Sequence, residues 1–133
     1  MSQQAVQLQP RNPLTPSQEL IWTSQRLHPD SPLANMGLLS TFDATIDPSR
    51  FVDAVSRVVA GSDVLRTIVR HIDGVPHPSV LPSPPADTEV VAIPFEDLDS
   101  WAERRIAAPI EISRQVYDSV LLQHGDAHWS WWM

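Results

Sequence analysis

The sequence ends in "DAHWSWWM", which places three tryptophans in its last five positions. Chain ends fray unless something ties them down, so a tail this apolar has to be anchored in a packed element. It carries the strand period of two: Trp129, Trp131 and Met133 fall on one side, His128, Ser130 and Trp132 on the other. Indoles on both sides specify a central strand covered on both faces, flanked by other strands. The tail is therefore expected to belong to a sheet larger than this sequence supplies, its tryptophans being core residues left at a cut.

The rest of the chain supplies helices and strands in alternation. Residues 1–13, Gln-rich and broken by Pro10 and Pro13, read as a flexible N-terminal arm. In "LTPSQELIWTSQRL", Thr15 is placed to cap a helix, Pro16 suits its first position and Gln18 completes a capping box. Leu20, Ile21, Ser24 and Leu27 give that helix a modest apolar stripe, and "HPDSP" ends it beside His28, whose positive form suits the helix dipole. "NMGLLSTFDATI" alternates as a strand, with Met36, Leu38, Phe42, Ala44 and Ile46 on one side and Leu39 as the exception.

"DPSRFVDAVSRVVAG" is the clearest helix, capped by Asp47, with Phe51, Val52, Val55, Val58 and Val59 on one buried flank. "VLRTIVRHIDGVPHPSVL" reads as a hairpin through Asp73-Gly74, a pair that tolerates positive φ, and Pro76 and Pro78 mark its return strand as an edge. A proline-rich connector, the strand "VVAI" and a helix over "SWAERRIAA", with Ser100 and Glu103 as a second capping box, come next. A last hairpin turns at Gly125-Asp126. Mixed elements in this order predict an α/β sandwich, helices covering a mixed sheet.

The 133 residues suit one domain, and a net charge of -7 with no basic cluster argues against a nucleic-acid partner. Cysteine is absent, which removes disulfides, thiolate nucleophiles and cysteine-bound metal. No leader or membrane span is legible, so the chain reads as a cytoplasmic, soluble protein. His124 and His128 flank a turn without a third metal ligand and read as solvated turn histidines. His71 and His77 read as a cross-strand pair, no Ser or Cys nucleophile standing beside either. Glu96, Asp97 and Asp99 suit a helix N-terminus, and no serine lies in a G-x-S-x-G elbow, so the residues alone specify no reaction.

Three segments carry a resemblance. "TPSQELIW" resembles the pattern S-x-A-Q-x-R-[LM]-W through Gln18 and Trp22, with Leu20 in place of its arginine. "SDVLRTIV" resembles H-E-x-L-R-T-x-F through Leu65, Arg66 and Thr67, with Ser62 for the histidine, Asp63 for the glutamate and Val69 for the phenylalanine. "APIEISRQVYDSVLL" is similar to P-F-D-L-x-x-G-P-L-x-R-x-x-L-L through Pro109 and its final leucines; Ile110 and Glu111 depart from the pattern, and Gln115, Val116 and Tyr117 replace Gly-Pro-Leu. In this order, from about Leu14 to Met133, they resemble the start of a nonribosomal peptide synthetase condensation domain of the chloramphenicol-acetyltransferase-like superfamily.

That resemblance implies the N-terminal lobe of a two-lobed fold over residues 14–133, cut just before the family's H-H-x-x-x-D-G motif and inactive by itself. The intact domain makes an amide between carrier-bound thioesters. It implies no directly bound cofactor, the phosphopantetheine being carried by partner peptidyl or aminoacyl carrier proteins, and the missing C-terminal part of the domain as a further partner. It also implies that Arg66 supports the active-site loop by pairing with the motif's aspartate. Without that aspartate the guanidinium either faces an empty site, a cost on the order of 3–5 kcal/mol, or reaches water as a strand arginine. Two other readings stand beside this one: a carrier-docking or partner-completing module built on an exposed tryptophan strand, and part of a related acyltransferase that acts on an alcohol.

Overall fold

The computed structural model describes residues 13–133, so the expected arm lies outside the described residues except for Pro13. The elements are α1 (Pro16–Leu27), β1 (Leu39–Asp43), α2 (Pro48–Ala60), α3 (Asp63–Arg66), β2 (Thr67–Ile72), β3 (Val75–Val80), β4 (Glu89–Ala92), a 3-10 turn (Phe95–Asp97), α4 (Leu98–Ile106), β5 (Val120–Gln123) and β6 (His128–Trp132). Four strands form one sheet in the order β1-β6-β5-β4, and β2 and β3 form a separate ribbon.

Local chemistry sets most element ends. Thr15 accepts from the Gln18 N–H while the Gln18 side chain accepts from the Thr15 N–H, the expected capping box of α1. Asp47 caps α2 through the Arg50 N–H. Asp73 and Gly74 turn the β2–β3 hairpin at φ 51 and 81, left-handed values that an Asp-Gly pair tolerates. The link from β4 to β5 carries α4 because those strands run parallel, and a parallel pair needs a long crossover. Helix α4 begins one turn earlier than "SWAERRIAA" indicates: Ser100 lies inside it and donates its hydroxyl to the Asp97 carbonyl, so the second capping box is absent.

β6 is the centre of the sheet, antiparallel to β1 on one side and to β5 on the other. Helix α2 covers one face, where Phe51 meets Trp131 edge-on at 5.5 Å. Helix α4 covers the other, where Trp101 meets Trp132 edge-on at 5.8 Å and Leu98 packs with Val120, Leu122 and Trp132. Val120, Leu121 and Leu122 are fully enclosed, each stabilising the fold by about 1.5–3 kcal/mol. The two-faced covering is as expected. Much of it comes from this chain's own helices and strands, which bury Trp129 and Trp132 and half-bury Trp131, so the tail is not an exposed apolar edge.

Pairing also reassigns individual side chains. Leu39, the apparent exception, lies opposite Trp132 and packs against the α4-side core, whereas Met36 and Leu38 precede β1 and are exposed. A one-residue change of register exchanges the two faces of a strand, and cross-strand partners decide the register. Val58 sits at the rim of the α2 flank and is exposed, while Val59 is buried. Helix α1 buries none of its residues; Leu20 and Leu27 of its expected stripe face solvent.

Candidate functional site

The three segments that carried the resemblance meet around one cleft of about 1110 Å³. Its walls are α1, with Gln18, Ile21, Trp22 and Gln25; the start of the ribbon, with Thr67, Ile68 and Val69; residues 109–117; and Trp132 and Met133 at the end of β6. Backbone groups join the segments to one another. The Gln25 amide donates to the Ile110 carbonyl at 2.8 Å, and the Val69 N–H donates to the Ile112 carbonyl at 2.8 Å. Asn35 ties the loop before β1 to the same region, its amide donating to the Ile106 and Ala108 carbonyls.

Arg66 is the last residue of α3, a one-turn helix capped by Ser62, and not a strand residue. Its side chain is only 14% exposed, so it does not reach out into water. Its charge is not unpaired either: Nη2 donates to the Asp63 carboxylate at 2.6 Å and Nη1 to the Leu81 carbonyl. Both expectations for Arg66 are corrected by the same short helix, which turns Asp63 back onto the guanidinium three residues later. Arg66 Nε is buried with no partner among the described residues.

Beside the cleft, Arg105 grips Asp118 through two hydrogen bonds of 2.6 and 2.7 Å, also reaches Glu89 at 2.8 Å, and lies over the Trp101 ring. The hydrogen bond to Asp118, opposed by desolvation and supported by Glu89, raises the guanidinium above its ordinary pKa. The Trp132 indole N–H adds a 3.1 Å bond to Asp118. Tyr117 donates to the Ala86 carbonyl, and burial pushes its phenol up. Sequence reasoning singled out none of Arg105, Asp118 or Asn35; their partners are remote in the chain, and no local period marks them.

The histidines need two corrections. His71 stands opposite Pro76 and His77 opposite Arg70, so adjacent registers place the two rings on opposite faces of the ribbon. His71 instead meets the Trp22 ring at 5.8 Å. His128 is exposed and pairs with Asp43, as a turn histidine would, but His124 is half-buried. The Ile93 carbonyl 3.1 Å from Nδ1 accepts only, so Nδ1 carries the proton, and in the neutral ring Nε2 takes the Ser130 hydroxyl at 2.8 Å. Ser130 is fully enclosed, so no substrate reaches this serine-histidine pair. Among the described residues no cluster of His, Cys, Asp or Glu could hold a metal ion, and no helix is long and apolar enough to cross a membrane.

The condensation-domain family model matches residues 9–133. The chain belongs to the condensation-domain family. Among curated relatives, this condensation-domain sequence is 30% identical over 129 residues to an isonitrile lipopeptide synthase of Streptomyces coeruleorubidus, covering 92% of this chain and 9% of the synthase. Among solved structures it is similar to the starter condensation domain of rhizomide synthetase, with TM-score 0.80 and 25% identity over 90% of this chain. It also shares its fold with the first condensation domain of the calcium-dependent antibiotic synthetase, at TM-score 0.82 and 20% identity over 93% of this chain. It spans 30% and 32% of those two structures. The α/β fold of the chloramphenicol-acetyltransferase-like type thus stands, and the chain corresponds to one part of a condensation domain.

Proposed function

We propose that residues 14–133 form the N-terminal lobe of a peptide-synthetase condensation domain, that H-H-x-x-x-D-G follows Met133 in the same protein or gene, and that the assembled domain joins two carrier-bound substrates. The observation carrying this reading is the meeting of all three signature segments and the end of β6 on one cleft. A loop emerging from Met133 starts at that cleft. In the reaction, the amine nitrogen of an aminoacyl thioester attacks the carbonyl carbon of an upstream acyl or peptidyl thioester. The carbon–sulfur bond breaks, the thiol stays on its phosphopantetheine arm, and the amine proton passes by way of the motif's histidine to the departing sulfur. Carrier proteins bearing those arms are the proposed partners.

Arg66 is the proposed positioning residue. Asp63 and the Leu81 carbonyl already orient its guanidinium, and Nε is the donor left over for the motif's aspartate. Two carboxylates on one guanidinium hold a loop more tightly than one.

The test begins with the nucleotides after the Met133 codon. An H-H-x-x-x-D-G continuation, in frame or after a frameshift, is expected; unrelated sequence there overturns the lobe reading. The assembled domain is then given an acyl-loaded and an aminoacyl-loaded carrier protein in a single-turnover assay. Amide product is expected, with Arg66→Ala slowing its formation at least about tenfold and shifting the pH profile, as misplacement of the histidine requires. Ester formation with an alcohol acceptor, and none with an amine, would transfer the assignment to the acyltransferases of the superfamily.

A further inference from the structure

Helix α1 stands apart from the other long helices in how it is held. Helix α2 buries Val59 and packs Phe51 on Trp131, and α4 buries Leu98 and packs Trp101 on Trp132. Helix α1, at 12 residues against 13 for α2 and 9 for α4, buries no residue at all. Among the described residues, one side-chain hydrogen bond and one ring contact join it to the body: the Gln25 amide on the Ile110 carbonyl, and the Trp22 ring on His71. Arg26 lies over the other contact's indole at 5.1 Å and belongs to α1 itself, so it stiffens the helix without docking it. Trp22, Gln25 and Ile110 of these contacts line the cleft.

Both ends of the following link are also distinct. From His28 to Asn35 the chain is built of local turns, with the Ser31 N–H on the His28 carbonyl and the Asn35 N–H on the Pro32 carbonyl. At Asn35 it becomes fixed, because that side chain caps two carbonyls at the end of α4. The link is therefore short-range on the α1 side and anchored on the body side, which is the arrangement of a hinge.

We propose that α1 is a strap: it leaves and rejoins the body as one unit about the 28–35 link, opening and covering the cleft, while the sheet stays intact. A neutral hydrogen bond, one aromatic contact and the partial burial of Trp22, Ser24 and Gln25 hold α1 far less tightly than an enclosed core would, so the undocked state is populated well above the globally unfolded one. The four-stranded sheet, with its enclosed core, opens only on global unfolding. This holds whether or not the chain serves in amide formation.

Hydrogen exchange on the full chain is the test. The amides of 20–27 are expected to be protected about a hundredfold or less and those of β5 and β6 at least about ten-thousandfold. Trp22→Ala should lower α1 protection about tenfold and leave β6 unchanged, and Gln25→Ala should do the same by a smaller factor. Because the chain has no cysteine, spin labels at Leu20→Cys and Val75→Cys report the distance between strap and hairpin without interference. A major short distance with a minor longer one is expected. Protection of α1 equal to that of β6, one narrow distance, or a distribution without a docked population would each overturn the proposal.

Discussion

Gly37 is the position at which one methyl group tests the packing of the whole sheet end. An alanine Cβ there would lie 2.8 Å from Cζ3 and 2.9 Å from Cζ2 of Trp132, with Cη2 nearer still. Ordinary carbon contacts begin near 3.4 Å, so the indole has to withdraw by roughly an ångström. It cannot do so cheaply: Asp118 holds its N–H, Trp101 packs edge-on against it, and only 6% of the residue is exposed. Overpacking of this kind costs about 1–3 kcal/mol. Gly37 is not in the left-handed region, so alanine also restricts the unfolded chain, a gain of about 0.4–1 kcal/mol. Gly37→Ala is therefore expected to destabilise by about 1–2 kcal/mol in urea unfolding followed by circular dichroism, with an unchanged slope. In a Trp132→Leu background the ring is gone and the same substitution should cost less than about 0.5 kcal/mol, leaving a coupling of about 1–2 kcal/mol. A neutral Gly37→Ala, or an equal cost in both backgrounds, would refute the argument.

Leu39→Ala should cost about 1–3 kcal/mol and Met36→Ala less than about 0.5, because pairing puts Leu39 on the core and Met36 in solvent; equal costs in the same unfolding assay would mean a different register. Asp118→Asn should lose about 1–2 kcal/mol, a figure reduced by partial exposure, and change the Trp132 emission, since Glu89 is then the one carboxylate left to Arg105 among the described residues. The phenol of Tyr117 is raised from 10.0 by burial, so its share of stability is whole below that value and is lost as pH climbs through the higher folded value. Tyr117→Phe should remove this part of the alkaline decline while costing about 1 kcal/mol at neutral pH, read from unfolding midpoints across the alkaline range.

The sequence by itself determined the elements and their ends. Caps at Thr15 and Asp47, the Asp73-Gly74 turn and the alternation around Trp129 to Trp132 act through groups a few residues apart, and such signals survive in one dimension. It also carried the family, because motif residues such as Gln18, Trp22 and Arg66 are read by identity and order. The tertiary structure decided what long-range neighbours decide. Leu39 became core and Leu38 surface because Trp132, far along the chain, sets the register. His124 is half-buried because the Ile93 carbonyl and Ser130 close on both ring nitrogens. Arg66 acquired its counterion because a single helical turn, too short for any periodic pattern to reveal, brings Asp63 beneath it. Even the tryptophan tail divides this way: its alternation required cover on both faces, and only the assembled sheet could say that α2 and α4 of the same chain provide it. Packing is a property of pairs distant in sequence, and one strand's composition states the demand for a partner without naming which one meets it.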